Sequence, residues 1–193
     1  MTFQPPPPPP PAPPPPPPSG GYGPPAAGGG GGSFDPKSVN TLDWGILAAG
    51  LLAFIFSFVS YYTYSVKGFS QYGTGHWSAW HGFFGWFAML CALVGSALVA
   101  ISLFAPQVKL PVGARLACLA AYALASLSVI LALFVVPSPA GGAFDSALNK
   151  GHGFGYWISL IIILAGLVVS LMRAQQTGTK LPGPLNNLPK IGS

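Results

Sequence analysis

Glutamate is missing from this sequence, and aspartate occurs only at Asp35, Asp43 and Asp145. Charged residues make up 6% of 193 positions, against about 25% in a soluble globular protein. Eight basic and three acidic side chains cannot clothe a water-facing surface of this size. Cysteine is equally scarce. Cys91 and Cys118 both fall in apolar surroundings, where a free thiol behaves as a small apolar group, so neither reads as part of a disulfide framework. The net charge of +5 comes from basic residues scattered singly; without a basic stripe, no nucleic-acid partner is expected. Nucleophile, phosphate-loop, dinucleotide and zinc-protease motifs are absent as well. Gly28–Gly32, the one glycine run, has no Lys-Ser or Lys-Thr after it. No catalytic residue and no cofactor is therefore expected, and the chain reads as non-enzymatic.

What the sequence does contain begins with a low-complexity arm over residues 1–40. Two proline runs, Pro5–Pro11 and Pro13–Pro18, precede the glycine run. Polyproline adopts an extended helix without internal hydrogen bonds, and glycine-rich chain is flexible coil. Nothing in the arm can bury a core, so it is expected to be disordered. It has no basic segment leading into a short apolar one, so it does not read as a signal peptide.

From Trp44 the character changes. Trp44–Tyr64, Gly82–Phe104, Leu116–Val136 and Phe154–Met172 are uncharged for 21, 23, 21 and 19 residues and contain no proline. About 20 helical residues cross a hydrocarbon core of roughly 30 Å. Pro106, Pro111, Pro137 and Pro139 fall between the segments, where helices should stop. The expected fold is all-α: an integral membrane four-helix bundle with helices near 44–64, 82–104, 115–136 and 154–172. The domain plan is a cytoplasmic arm at 1–40, a transmembrane domain at 41–175 and a short flexible cytoplasmic tail at 176–193. With the N-terminus inside, six basic residues (Lys37, Lys109, Arg115, Arg173, Lys180, Lys190) lie inside and two (Lys67, Lys150) outside. That bias sets a multi-pass plasma-membrane protein with both termini cytoplasmic. The outer loops, near 65–81 and 137–153, are too short to fold alone and must pack on the bundle rim. The openings of the second and fourth helices, His81-Gly82-Phe83-Phe84-Gly85-Trp86 and His152-Gly153-Phe154-Gly155-Tyr156-Trp157, are alike enough to suggest an internal repeat.

Four sets of residues are candidates for function. Trp77, Trp80, Trp86, Tyr156 and Trp157 read as an outer aromatic belt, where such rings collect at the membrane boundary. His76, His81 and His152 lie in the same region, and imidazoles there could sense pH, ligate a metal or hold a small ligand. Small residues recur every four positions, as Gly113, Ala117, Ala121 and Ala125, as Ala92, Ser96 and Ala100, and as Gly166 and Ser170. Such stripes let helices approach closely, first for packing within the bundle and second for pairing with another copy. Pro5, Pro11, Pro13 and Pro18 bound the runs that could dock into an aromatic-lined groove. Charges avoid the middle of every helix, which disfavours a coupled carrier. Asp43 could pair with Arg115 or Arg173 at the inner rim, but solvated side chains are the expected state there.

The stretches Trp44–Tyr64 (WGILAAGLLAFIFSFVSYYTY), Leu110–Val136 (beginning LPVGARLACLAAYALAS) and Gly155–Gly178, together with the proline runs, resemble small actinobacterial four-helix membrane proteins with Pro/Gly-rich tails. The nearest is the mycobacterial proline-rich-tail antigen family. In that family the tail is usually C-terminal, whereas here the proline runs are N-terminal. The resemblance implies association with the cell envelope or cell division, and carries over no catalytic residues. The expected function is a membrane scaffold or recruitment protein of the bacterial cell envelope. Its expected partners are the lipid bilayer and cytoplasmic polyproline-binding or cell-division and envelope proteins. The alternatives are an outer-face sensor or small-ligand and metal-binding protein, and a passive transporter or pore.

Overall fold

A computed structural model of the chain describes residue 1 and residues 36–69, 71, 73–108, 113–138 and 142–179. The chain divides between Phe34 and Asp35; the second unit, taken by itself, holds every element described below. The proline and glycine runs, Tyr72, Lys109, Lys180 and Lys190 lie outside the described residues.

Four α-helices dominate: α1 (Thr41–Phe56), α2 (Phe83–Phe104), α3 (Ala114–Phe134) and α4 (Phe154–Gln176). The last three are long and apolar enough to cross a membrane, at 22, 21 and 23 residues. Asn40 starts α1: its side-chain oxygen accepts from the Leu42 N–H at 2.9 Å, satisfying a donor that the first helical turn leaves open. Each helix packs on two neighbours, α1 on α2 and α4, and α3 on α2 and α4.

The expected first helix is cut short. It ends at Phe56, and the residues up to Tyr64 leave it for a strand. The strands are β1 (Tyr62–Val66), β2 (Gly75–Trp77) and β3 (Leu148–His152), antiparallel in the order β2-β1-β3. The all-α expectation is therefore corrected to a mostly helical fold with a small sheet built from both loops between helices at that end. The cause is legible in Tyr62-Thr63-Tyr64-Ser65-Val66. Aromatic and β-branched residues fit a pleated surface, and the alternation puts Tyr62 and Tyr64 on the buried face. Gly68, at φ +79°, turns the chain just after β1.

The loop residues between α1 and β1 hold the sheet to the helices. Tyr61 N–H donates to the Trp77 carbonyl at 2.8 Å, and Ala79 N–H to the Ser57 carbonyl at 2.9 Å. Gly153 and Gly155 N–H, at the start of α4, donate to the Tyr61 and Ser60 carbonyls at 2.9 and 2.8 Å. A Cβ at Gly153 would lie 2.4 Å from the Ser60 carbonyl oxygen, so that close approach requires glycine.

The helices bury a carboxylate and several hydroxyls beside their apolar core and leave many large apolar side chains exposed. Asp43, Ser96, Ser126, Ser128, Ser159 and Ser170 are buried, while Leu51, Leu127, Phe134, Ile161 and Val168 are exposed. Apolar side chains exposed in such number along helices mark a surface that meets a membrane or a partner.

Candidate functional site

Three places concentrate polar side chains: a tyrosine knot amid the helices, a charged triad at the end opposite the sheet, and the sheet with its surrounding rim.

The knot centres on Tyr122 of α3, which is fully buried. Its hydroxyl donates to the Ile46 carbonyl of α1 at 2.9 Å and lies 2.8 Å from the Ser96 hydroxyl of α2. Ser96 in turn donates to the same carbonyl at 2.7 Å. Glycine makes room around the group: Gly95 and Gly166 face the ring from α2 and α4, and Gly50 of α1 faces Ser96. One α3 side chain therefore touches or bonds to each of the other three helices.

The triad is Asp43 with Arg115 and Arg173, from α1, α3 and α4. The Asp43 carboxylate accepts from Arg115 through both terminal nitrogens, the longer contact at 3.0 Å. It accepts from Arg173 through Nε at 3.1 Å and Nη2 at 3.0 Å. The Asp43 side chain is 1% exposed and the two arginines are each 19% exposed. This corrects the expectation of solvated side chains. Asp43 lies on the third residue of its helix and faces inward, where an unpaired carboxylate would be costly. It also sits favourably at a helix N-terminus, as does Arg173 near a C-terminus.

At the sheet end, the three histidines are held apart by separate partners. His152 Nε2 lies 3.0 Å from the Ala132 carbonyl oxygen; a carbonyl only accepts, so Nε2 carries the proton. His76 Nδ1 meets the Ser60 hydroxyl at 2.8 Å, and His81 Nδ1 the Ser78 hydroxyl at 3.1 Å. His76 and His152 occupy adjacent rows of the sheet, so their side chains point to opposite faces. Among the described residues, no group of three His, Cys, Asp or Glu could hold a metal ion.

The aromatic residues separate into two kinds. Trp77 stacks on His81 with ring centres 4.7 Å apart, and Trp80 stacks on Phe58 at 5.7 Å while its indole N–H donates to Ser57 at 3.0 Å. Trp86 packs edge-on against Phe83, and Trp157 is exposed. Tyr156 instead belongs to the core, fully buried, with its hydroxyl donating to the Val129 carbonyl at 3.1 Å. It packs with Tyr61, which packs with Tyr62. Burial raises the Tyr61 and Tyr62 phenols well above their ordinary value, reinforced by neighbouring tyrosines, and pushes Tyr64 up to about 12. Beside the sheet, Lys150 and Ser138 hydrogen-bond Asp145 and hold its carboxyl below the usual range. Thr63, Ser65, Thr74 and Lys150 help line a shallow cleft of about 170 Å³.

The small-residue stripes are used unevenly. Ala92, Ser96 and Ala125 are buried, Ala100, Ala117 and Ala121 half-buried, and Gly113 exposed. Gly166 faces the Tyr122 ring, and the Ser170 hydroxyl donates to its own helix at the Leu167 carbonyl. Cys91 and Cys118 are free thiols. The proline positions Pro5, Pro11, Pro13 and Pro18 lie outside the described residues. Sequence reasoning missed Tyr122, whose signal was its place as a lone phenol midway along an apolar segment.

The chain matches no protein-family model, no curated protein and no solved structure.

Proposed function

We propose that this chain is a plasma-membrane anchor whose four helices form a bundle in the bilayer and hold its proline-rich arm at the cytoplasmic face to recruit partners. The observation that carries the membrane part is the outer surface of the helices: leucine, isoleucine, valine and phenylalanine lie exposed along them, around a core that takes in hydroxyls and a carboxylate. Lipid is the solvent that such a surface fits. α1, at 16 residues, spans about 24 Å, somewhat less than the roughly 30 Å core. The knot, the triad and the sheet tie the helices together at the middle and at both ends, which suits a rigid mount.

Recruitment rests on the sequence of the arm. Thirteen prolines in Pro5–Pro18 present a preformed extended ligand to aromatic-lined grooves at low entropic cost. The resemblance to proline-tailed envelope proteins points to partners in the cell envelope or division apparatus. Imaging of a tagged chain with and without residues 1–36 tests this. Foci that vanish on deletion support recruitment, whereas a signal unchanged by the deletion removes it.

An outer-face sensor built on His76, His81 and His152 is the rival reading, and a triple His→Gln variant tests it across the pH range where imidazole titrates. The geometry gives it little leverage. His152 meets the Ala132 carbonyl, His76 the Ser60 hydroxyl and His81 the Ser78 hydroxyl, so the three imidazoles do not converge on one site. A pore, the third reading, would show as solute flux through reconstituted vesicles.

A further inference from the structure

Two guanidinium groups share one carboxylate at the end of the fold that carries the start of α1, the start of α3 and the end of α4. The cluster therefore holds one positive charge in excess. Its pairing with Asp43 engages two nitrogens of each arginine, out of five N–H donors on each guanidinium. Both arginine side chains reach the surface at 19% exposure, while the carboxylate is sealed at 1%. What faces outward is thus cationic.

The position adds a second constraint. Arg115 is the second residue of α3, whose 21 residues run about 31 Å, close to the thickness of a bilayer core. Its guanidinium therefore lies at headgroup depth when that helix spans a membrane. Beside the triad the same two helices contribute an apolar cluster, Leu119 and Ala174 with Leu167 and Leu171. A cationic position at headgroup depth fits a phospholipid with an anionic headgroup. Arginine suits the phosphate because its planar fork donates two parallel bonds.

We infer that Arg115 and Arg173, held in place by Asp43, form a binding site for the phosphate of an anionic phospholipid. The inference rests on the membrane reading above, and it assigns Asp43 a second role. Besides fixing the two arginines, it occupies donors that would otherwise go to the lipid, and so sets the affinity of the site.

The test uses the purified full chain in mild detergent, offered equal amounts of phosphatidylglycerol and phosphatidylcholine, with retained lipid counted by native mass spectrometry. The wild-type chain should retain phosphatidylglycerol in preference by about fivefold or more, the effect of one basic side chain at an anionic surface. Arg115→Gln and Arg173→Gln should each bring the ratio toward one. Asp43→Asn should raise it while lowering thermal stability; a triad with only a structural role would lose stability with the ratio unchanged. Equal retention of both lipids by the wild-type chain overturns the proposal without needing any variant to fold. Displacement of the lipid by inorganic phosphate at equal concentration also overturns it, because the site would then be for a soluble anion. Failure of the membrane reading is seen separately, as release of the chain from membranes by an alkaline wash.

Discussion

Replacing Gly166 by alanine should unfasten the centre of the bundle. The new Cβ would stand 2.2 Å from Cε1 of Tyr122, 2.8 Å from Cδ1 and 3.0 Å from Cζ. Carbon atoms in contact prefer about 3.5–4.0 Å, so the ring must shift by more than about 1 Å. It has little room to do so. On the α2 side the ring already fills the space above Gly95, with Cδ2 and Cε2 3.0 and 3.2 Å from where a Cβ would be, and its hydroxyl is tied to Ser96 and the Ile46 carbonyl. Overpacking alone costs about 1–3 kcal/mol, and dragging the hydroxyl off its partners adds about 0.5–1.5 kcal/mol. A total near 3 kcal/mol lowers the melting temperature by roughly 6–12 °C for a chain of this size. Thermal unfolding in mild detergent measures it. Tyr122→Leu, harmful alone, should cost much less in the Gly166→Ala background, a coupling of at least about 1 kcal/mol between contacting residues. A Gly166→Ala protein melting within about 1 °C of the parent, against shifts of several degrees expected from a clash in the core, would show that Tyr122 and Gly166 do not pack as described.

Further perturbations have outcomes of definite sign. Asp43→Ala leaves two guanidiniums without their carboxylate; breaking a buried pair costs about 3–5 kcal/mol, and the lower end applies because both arginines can turn to water. Tyr122→Phe should cost only about 1 kcal/mol, since Ser96 still donates to the Ile46 carbonyl, and thermal unfolding separates it from the larger Gly166→Ala effect. Gly155→Ala would set a Cβ 2.9 Å from the Ser60 carbonyl oxygen and 3.0 Å from those of Phe56 and Val59, so it should part α4 from α1 and lower the melting temperature. In alkali, the raised phenol of Tyr64 means that the folded state holds its proton more tightly than the unfolded chain. Stability is then full below the ordinary value of 10.0 and falls as pH rises through about 12. Tyr61 and Tyr62 act in the same direction, and tyrosinate absorbance followed alongside melting checks it.

Much of this fold is written in the chain at the scale of whole segments. The uncharged stretches beginning at Gly82, Leu116 and Phe154 became α2, α3 and α4 within a few residues, because length and hydropathy alone decide such helices. The first stretch departs because its uncharged run continues through Tyr64 while the residues after Tyr61 already carry the two-residue period of a strand. Strand pairing is also a non-local property: β1 finds β3 more than eighty positions away, and no local pattern in Leu148–His152 announces it. The spacing of small residues identified Ser96 and Gly166 as packing positions but not what they pack against. That partner is Tyr122, whose hydroxyl is tolerated among apolar helices only because a carbonyl and a serine meet it there. Asp43 was legible as a charge at a helix start, while its three-way pairing depends on the order in which the helices pack.

The central claim is that the chain crosses a bilayer with the sheet outside and the arm inside. It is tested most directly by labelling intact cells with a membrane-impermeant maleimide, in a background where Cys91 and Cys118 are replaced by alanine. Ser146→Cys, at an exposed position beside the sheet, and Ser38→Cys, just before α1, report the two sides. The account predicts labelling of Ser146→Cys in intact cells and of Ser38→Cys only after lysis. Labelling of Ser38→Cys in intact cells, or protection of Ser146→Cys until lysis, would contradict it.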